Sequence, residues 1–226
     1  ANAADILINN QFIREFQNPT SSNTPGNQLV VVSAMSGVTD ELIAGARAAA
    51  EGRDQAFRRI KADVLRRHLE VVETVLPQRA ERVEIAGLIA DRLHELERLY
   101  RSIAILGDVT MRGYDAVTSF GEDLSASILA AVLRENGQRA QAVSATKLIV
   151  TDDQFGSARP LMSATRAKLH QRLEPLLESG IRPVITGYIG ATENGVTTTL
   201  GRGGSDYSAA ILAAGLDASE VWIWSD

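Results

Sequence analysis

The sequence predicts an α/β protein, helices packed in a sandwich around a largely parallel central sheet. Three observations predict it. Short valine- and isoleucine-rich runs recur along the chain, apolar at consecutive positions, as in strands buried on both faces. Segments with helical apolar spacing lie between them. Glycines and small polar residues separate the two kinds of segment, and that alternation builds parallel sheets covered by helices.

Taken in order, Asp5–Phe16 carries Ile6, Leu7, Ile13 and Phe16 at helical spacing. Asn18–Gln28, with Pro19, Pro25 and Gly26, reads as a loop. Leu29–Ala34 reads as a buried strand and Thr39–Ala50 as a helix stopped at Gly52. Residues 53–106 are rich in Arg, Glu and Leu. They predict two long helices broken at Pro77, a helical insertion packed on the sheet domain with its charges on a solvated face. A helix is expected over Glu122–Asn136, ended by Gly137, then strands over Ala140–Ser144 and Lys147–Val150. Pro160–Ser179 reads as a helix kinked or shortened at Pro175. Pro183–Tyr188 is a strand; Thr192–Gly195 is a turn into the strand Val196–Leu200. Ser205–Ala214 is a helix and Glu220–Trp224 a strand. In open sheets of this kind, ligands gather at the carboxyl ends of the strands.

The chain's 226 residues suit one large domain or two small ones. A net charge of −5 argues against nucleic acid or an anionic membrane as partner, because both recruit clustered positive charge. The absence of cysteine excludes disulfides, thiolate metal sites and cysteine nucleophiles. No apolar run approaches the roughly 18 residues of a membrane span. Ala1–Asp5 lacks the basic-then-apolar pattern of a secretory signal.

Three segments share a layout expected to be strand end, small residues, helix start: Val30–Asp40, Ser119–Ser125 and Thr198–Ala209. In the third, Gly201, Gly203 and Gly204 let backbone approach a ligand closely. Ser205 and Asp206 fall where a helix N-cap is expected. The helix behind them would point free N–H groups at an anion, and Arg202 adds a planar fork suited to a carboxylate or phosphate. On spacing alone, a glycine turn with a capped helix and a solvent arginine accounts for the segment equally well. Ser33 and Thr39 read equally as plain caps, and Glu122 as a first-turn glutamate serving the helix dipole.

Five segments then carry a resemblance, in order along the chain. Val31-Val32-Ser33-Ala34-Met35-Ser36-Gly37-Val38-Thr39-Asp40 resembles the segment after the second core strand of aspartate kinases. Phe120-Gly121-Glu122 resembles their Gly-Glu element, and Thr151–Ala158 their substrate-side loop. Thr198–Asp206 is similar to their Thr-Thr-Leu-Gly-Arg-Gly-Gly-Ser-Asp signature. Ile223-Trp224-Ser225-Asp226 resembles the start of their nucleotide-binding Trp-Thr-Asp segment, with serine in place of threonine.

The resemblance implies the amino acid kinase (carbamate kinase-like) fold, a three-layer sandwich. It implies transfer of the ATP γ-phosphoryl group to the β-carboxylate of L-aspartate, with Mg²⁺, in lysine, threonine and methionine synthesis. It further implies a cytoplasmic homodimer. By residue, Thr39, Glu122 and Arg202 would bind aspartate, with Gly203, Gly204 and Ser205 lining that site. Ser33 would lie near the phosphates, Ser225 and Asp226 would begin the ATP site, and Asp206 would organise the reacting centre. The charges are consistent with this: Arg202 can grip a carboxylate in two hydrogen bonds, and Glu122 can pair with the ammonium.

The family's opening Lys-Phe-Gly-Gly-Thr-Ser-Val loop and the remainder of its nucleotide site are not among these residues. These residues alone are therefore expected to be inactive. Related kinases of glutamate, acetylglutamate, carbamate or UMP are the alternative, as is a fragment that only binds ligand weakly or dimerises. The Gly-Glu element and the complete Arg-Gly-Gly-Ser-Asp run favour aspartate. Lys147 and Lys168 are read as exposed lysines, and His68, His94 and His170 as surface or groove histidines. Trp222 and Trp224, alternating on one strand, are read as packing residues.

Overall fold

The computed structural model describes residues 28–223. The helix expected over Asp5–Phe16, nearly all of the loop after it, and Trp224, Ser225 and Asp226 lie outside that range.

Strand β1 (Val30–Val32) leads to helix α1 (Val38–Ala50), then α2 (Asp54–Val75), α3 (Arg79–Leu106) and α4 (Met111–Glu135). Strand β2 (Ala140–Val143), a single 3₁₀ turn (Ala145–Lys147) and strand β3 (Val150–Thr151) follow. The chain continues through α5 (Met162–Glu178), β4 (Arg182–Thr186), β5 (Ile189–Thr192), β6 (Thr197–Thr199) and α6 (Gly204–Gly215).

The strands form two small sheets. One has the order β1-β4-β2 and is wholly parallel, with Val30 opposite Val184 and Ala142 opposite Val184 on the other side. The other has the order β3-β5-β6, with β3 parallel and β6 antiparallel to β5. The expected central sheet is thus mostly parallel but divided between β4 and β5. The division falls at Gly187-Tyr188, where Tyr188 takes a left-handed φ of 64°. Such a conformation in a bulky side chain costs of order 1–3 kcal/mol and persists only where its surroundings impose it.

Strand β5 escapes the sequence reading because Gly190 and Ala191 are poor strand formers. Packing requires the glycine: a Cβ there would lie 2.8 Å from the Thr151 methyl and 3.0 Å from the Ile149 carbonyl. The strand expected at Glu220–Trp224 does not form over its described part. Val221, Trp222 and Ile223 are exposed, so Trp222 is not the packing residue expected.

The pair of helices over residues 53–106 forms, with the break at Pro77. They pack on α1 and α4 rather than directly on a sheet, around Phe57, Leu93, Leu96 and Tyr100. Glu97 ties α3 to α2 through Lys61 at 2.6 Å. His68 corrects the expectation of a surface histidine. It is wholly buried in α2, its Nδ1 lies 2.7 Å from the Val64 carbonyl oxygen, and burial lowers its pKa. Helix α5 runs three residues past Pro175 to Glu178, and Gly180, with φ of 69°, follows its cap.

The largest departure is α4. It begins eleven residues before the expected Glu122 and carries Asp115 through Glu122 in unbroken helix. The Ser119–Ser125 segment is therefore not a strand-to-helix bend, and Glu122 is not a first-turn residue. Ser119, Thr118 and the glycine at 121 disguise the helix, because all three are weak helix formers. By length and apolarity α4 could cross a membrane, but most of it is buried as the central core helix against β2, β4 and its neighbours.

Candidate active site

Two of the three predicted segments do run from strand to helix, and they meet. Helix α1 starts at Gly37, with φ of 77°, and α6 at Gly203, with φ of 70°. In neither does a side chain cap the end. Gly203, not Ser205 or Asp206, is the N-cap residue of α6, which corrects the sequence reading. The first backbone bond of α6 runs from the Tyr207 N–H to the Gly203 carbonyl, 3.0 Å. The N–H groups of Gly204, Ser205 and Asp206 lie ahead of that ladder, at the positive end of the helix.

The Ser205 hydroxyl is used elsewhere. It accepts from the hydroxyl of Ser33, just beyond β1, at 2.7 Å. The corner at Gly187-Tyr188 supports this contact. A Cβ at Gly187 would lie 2.6 Å from Ser205 Oγ, and one at Gly204 would lie 2.6 Å from a Tyr188 ring carbon. The corner is sealed by two backbone bonds, Gly187 N–H to the Val32 carbonyl (2.7 Å) and Leu200 N–H to the Tyr188 carbonyl (2.8 Å).

Glu122 approaches the same β1 exit from the other side. It is buried, 3% exposed, and takes a backbone hydrogen bond from Ala34, the residue after Ser33. Its Oε2 is buried and has no partner among the described residues. Burial, opposed by the Ala34 N–H and aided by neighbouring Asp123, pushes its pKa up to about 8. Among the described residues no cation offsets its charge, so the carboxyl is predominantly protonated at neutral pH until one arrives.

Gly121 makes this approach sterically feasible. A Cβ there would meet the Ala34 methyl at 2.8 Å and Val38 at 3.2 Å. Gly121→Ala is therefore expected to cost about 1–3 kcal/mol by overpacking. The corresponding drop in urea midpoint checks it; an unchanged midpoint would show that α4 has slack at this point.

The predicted residues thus fall into two groups. Ser205 and Glu122 meet Ser33-Ala34, and Gly204 sits next to Ser205, against Tyr188. Thr39 stands half-buried in the first turn of α1, next to the Val38 that touches Gly121. Arg202, Gly203 and Asp206 are exposed on the bend before and at the start of α6. Arg202 pairs with no carboxylate among the described residues. Ser225 and Asp226 lie outside the described range.

The loop after β3 lies over the same bend. Ala158 N–H donates to the Thr199 carbonyl at 2.8 Å, and the Thr151 and Thr198 hydroxyls are 2.7 Å apart. Asp152 organises the loop by accepting from the N–H groups of Gln154 (3.2 Å) and Arg159 (2.9 Å).

Asp115 is the residue that sequence reasoning missed. It is 2% exposed, and its carboxylate accepts from Gly156 N–H at 2.9 Å, Thr199 N–H at 3.1 Å and Thr199 hydroxyl at 2.7 Å. Burial raises its pKa, and these three donors oppose the rise. The available signal was its spacing, seven residues before Glu122. It became meaningful only once both stood on one helix. Asp123, by contrast, faces away toward Arg92 of α3, whose guanidinium also covers the Phe120 ring at 4.9 Å.

Comparison with known proteins gives a consistent picture. Residues 9–226 match the model of the amino acid kinase family. The chain is 38% identical over 205 residues to the lysine-sensitive aspartokinase 3 of Escherichia coli, covering 88% of this chain and 42% of that protein. It is 34% identical over 197 residues to an aspartokinase of Chlamydia pneumoniae, covering 87% of this chain and 40% of the relative. Among solved structures, E. coli aspartokinase III with aspartate and ADP superposes with a TM-score of 0.82 at 31% identity, over 96% of this chain and 46% of that one. The same enzyme with lysine and aspartate also gives 0.82, over 95% and 45%. The chain therefore spans about two fifths of the length of these relatives.

Proposed function

Because this chain belongs to the amino acid kinase family, we propose that it supplies the amino-acid site and part of the phosphate site of an aspartate kinase. The reaction is transfer of the ATP γ-phosphoryl group to the β-carboxylate of L-aspartate. The observation that carries this reading is the pairing at the β1 exit. A buried carboxylate with an unpartnered oxygen, Glu122, and the amino end of α6, at Ser205, both contact Ser33-Ala34.

An ammonium group completes Glu122 by giving its buried Oε2 a charged donor. Arg202 on the bend holds a carboxylate of the same molecule in a bidentate grip. Thr39, Gly203, Gly204 and Ser205 line the space around it. A small zwitterion with a second carboxylate satisfies these groups together. Its β-carboxylate is the nucleophile and is already ionised at neutral pH, since an unperturbed Asp has a pKa of about 3.9. No strong general base is therefore needed. The demand is to hold two anions in line and to stabilise the charge on the transferred group. The N–H groups at the start of α6 and the Ser33 hydroxyl serve the phosphate side. Ser225 and Asp226 begin the nucleotide site in this reading.

Magnesium fits without an all-protein cage, and no group of three His, Asp or Glu gathers among the described residues. The ion commonly takes one or two carboxylates and the substrate phosphates, and exposed Asp206 suits that role. When bound, it would neutralise phosphate charge. Asp206 is thus a positioning group, not a proton acceptor.

The two E. coli aspartokinase III structures, one with aspartate and ADP, support the substrate assignment. The lysine sensitivity in that relative's name is consistent with a place in lysine synthesis, and the same reaction is proposed to serve threonine and methionine synthesis. We place the protein in the cytoplasm as a homodimer, which localisation by fluorescent fusion and light scattering check.

The deciding experiment is a panel of aspartate, glutamate, acetylglutamate, carbamate and UMP with ATP and Mg²⁺, on the full-length gene product. ADP release is expected with aspartate alone. Turnover of glutamate without aspartate would reassign the acceptor.

A further inference from the structure

We propose that Asp115 is a positioning residue that sets the distance between the two halves of the amino-acid site. It acts on the aspartate side of the reaction and not on the nucleotide side. This rests on the aspartate kinase reading above.

Asp115 and Glu122 lie seven residues apart on α4. Seven residues of helix turn the chain through nearly two full turns, leaving the two side chains within about 20° of one face and about 10.5 Å apart along the axis. Each carboxylate grips a different wall of the site. Glu122 holds the β1 exit through Ala34. Asp115 holds two segments distant in sequence: the loop after β3 through Gly156, and the end of β6 through Thr199. Thr199 is three residues from Arg202. Gly156 and Ser157 bear on the same bend, with the Gly156 carbonyl oxygen 3.5 Å from where a Cβ at Gly201 would stand.

Helix α4 therefore acts as a rigid spacer. One end fixes the carboxylate that takes the substrate ammonium, and the other fixes the bend carrying the arginine that takes a substrate carboxylate. Unlike Glu122, whose Oε2 is left without a partner among the described residues, Asp115 has both oxygens taken by protein donors and so offers no free acceptor to substrate. Asp115 has no cation beside it among the described residues, and a buried carboxylate so placed is costly to keep. Its three converging donors tie a loop and a glycine bend, distant in sequence, to one helix.

The test uses Asp115→Ala, Asp115→Asn and Thr199→Val in the full-length protein. Asp115→Ala frees both segments. It is expected to raise the aspartate KM about tenfold or more, as misplaced positioning groups do, with the ATP KM within about twofold. Hydrogen exchange without substrate is expected to quicken in residues 152–158 and 197–203. Asp115→Asn is expected to restore near wild-type behaviour. Its carbonyl can still accept both N–H groups, and the Thr199 hydroxyl can turn to accept from the amide. Thr199→Val removes one donor only, and a rise in aspartate KM of about threefold is expected.

A merely structural role would lower the active fraction and leave both KM values alone. That result in both Asp115→Ala and Thr199→Val overturns the proposal. If Asp115→Ala does not fold, the Thr199→Val and Asp115→Asn pair decides it by the same KM split. If the wild-type protein does not turn over aspartate, the functional reading fails. Exchange in the two segments still judges the clamp, and unchanged exchange in the variants rejects it.

Discussion

Arg202→Ala in the full-length protein is expected to weaken aspartate binding about a hundredfold and to leave ATP binding within about twofold of wild type. The magnitude follows from the loss of a charge-assisted, bidentate contact. Hydrogen bonds to charged groups contribute about 1.5–3 kcal/mol, and about 2.7 kcal/mol is a hundredfold in affinity. Arg202 is exposed and carries no carboxylate partner among the described residues, so its removal breaks no internal ion pair and should not unfold the protein. Arg202→Lys should recover only part of the loss, because an ammonium cannot reproduce the planar fork. Calorimetric titration with each ligand separates the two affinities. Aspartate binding at wild-type strength in Arg202→Ala would remove this residue from the site.

The second large effect is a pH dependence centred on Glu122. Its pKa rises from 4.5 in the unfolded chain to about 8 in the fold. The folded state thus binds the extra proton between those values. Its contribution to stability is complete below about pH 4.5 and is lost as pH climbs through about 8. Glu122→Gln keeps the neutral form at every pH. Relative to wild type, it should gain on the order of 4 kcal/mol in unfolding free energy between pH 5 and pH 9, given about 1.4 kcal/mol per pKa unit over the roughly three units from pH 5 to about 8. Urea midpoints of both proteins at the two pH values measure this, and parallel losses in both would contradict it.

The same carboxyl must ionise when an ammonium docks. At pH 7, aspartate binding should release close to one proton from the wild type and none from Glu122→Gln. Calorimetry in buffers of different ionisation enthalpy reads that number. The variant should also bind aspartate at least about tenfold more weakly, having lost a charged acceptor.

Helix α4 shows where local reading stops. Its polar, glycine-containing first half offers poor helix propensity, so the sequence suggests a bend at Ser119–Glu122. Burial overrides propensity there, since the face carrying Val117, Phe120 and Leu124 packs into the core. Asp115 was invisible for the same reason. A carboxylate in a presumed loop has no meaning until its donors, from residues 156 and 199, are brought to it.

The two glycine-headed helix starts are a different case. Gly37 and Gly203 need left-handed backbone, which glycine takes at no steric cost; the bends were legible from residue type, but the caps were read at neighbouring polar residues instead of at the glycines. Alternating strands and helices and the two helices broken at Pro77 were legible in the same way, as were the residue types proposed for the candidate site. All of them depend on a residue and its near neighbours. The joining of Glu122 to Ser33-Ala34, the division of the sheet at Tyr188 and the clamp at Asp115 were settled only by the packed chain. Each depends on groups tens of residues apart whose desolvation and hydrogen bonds are balanced only once the core has closed around them.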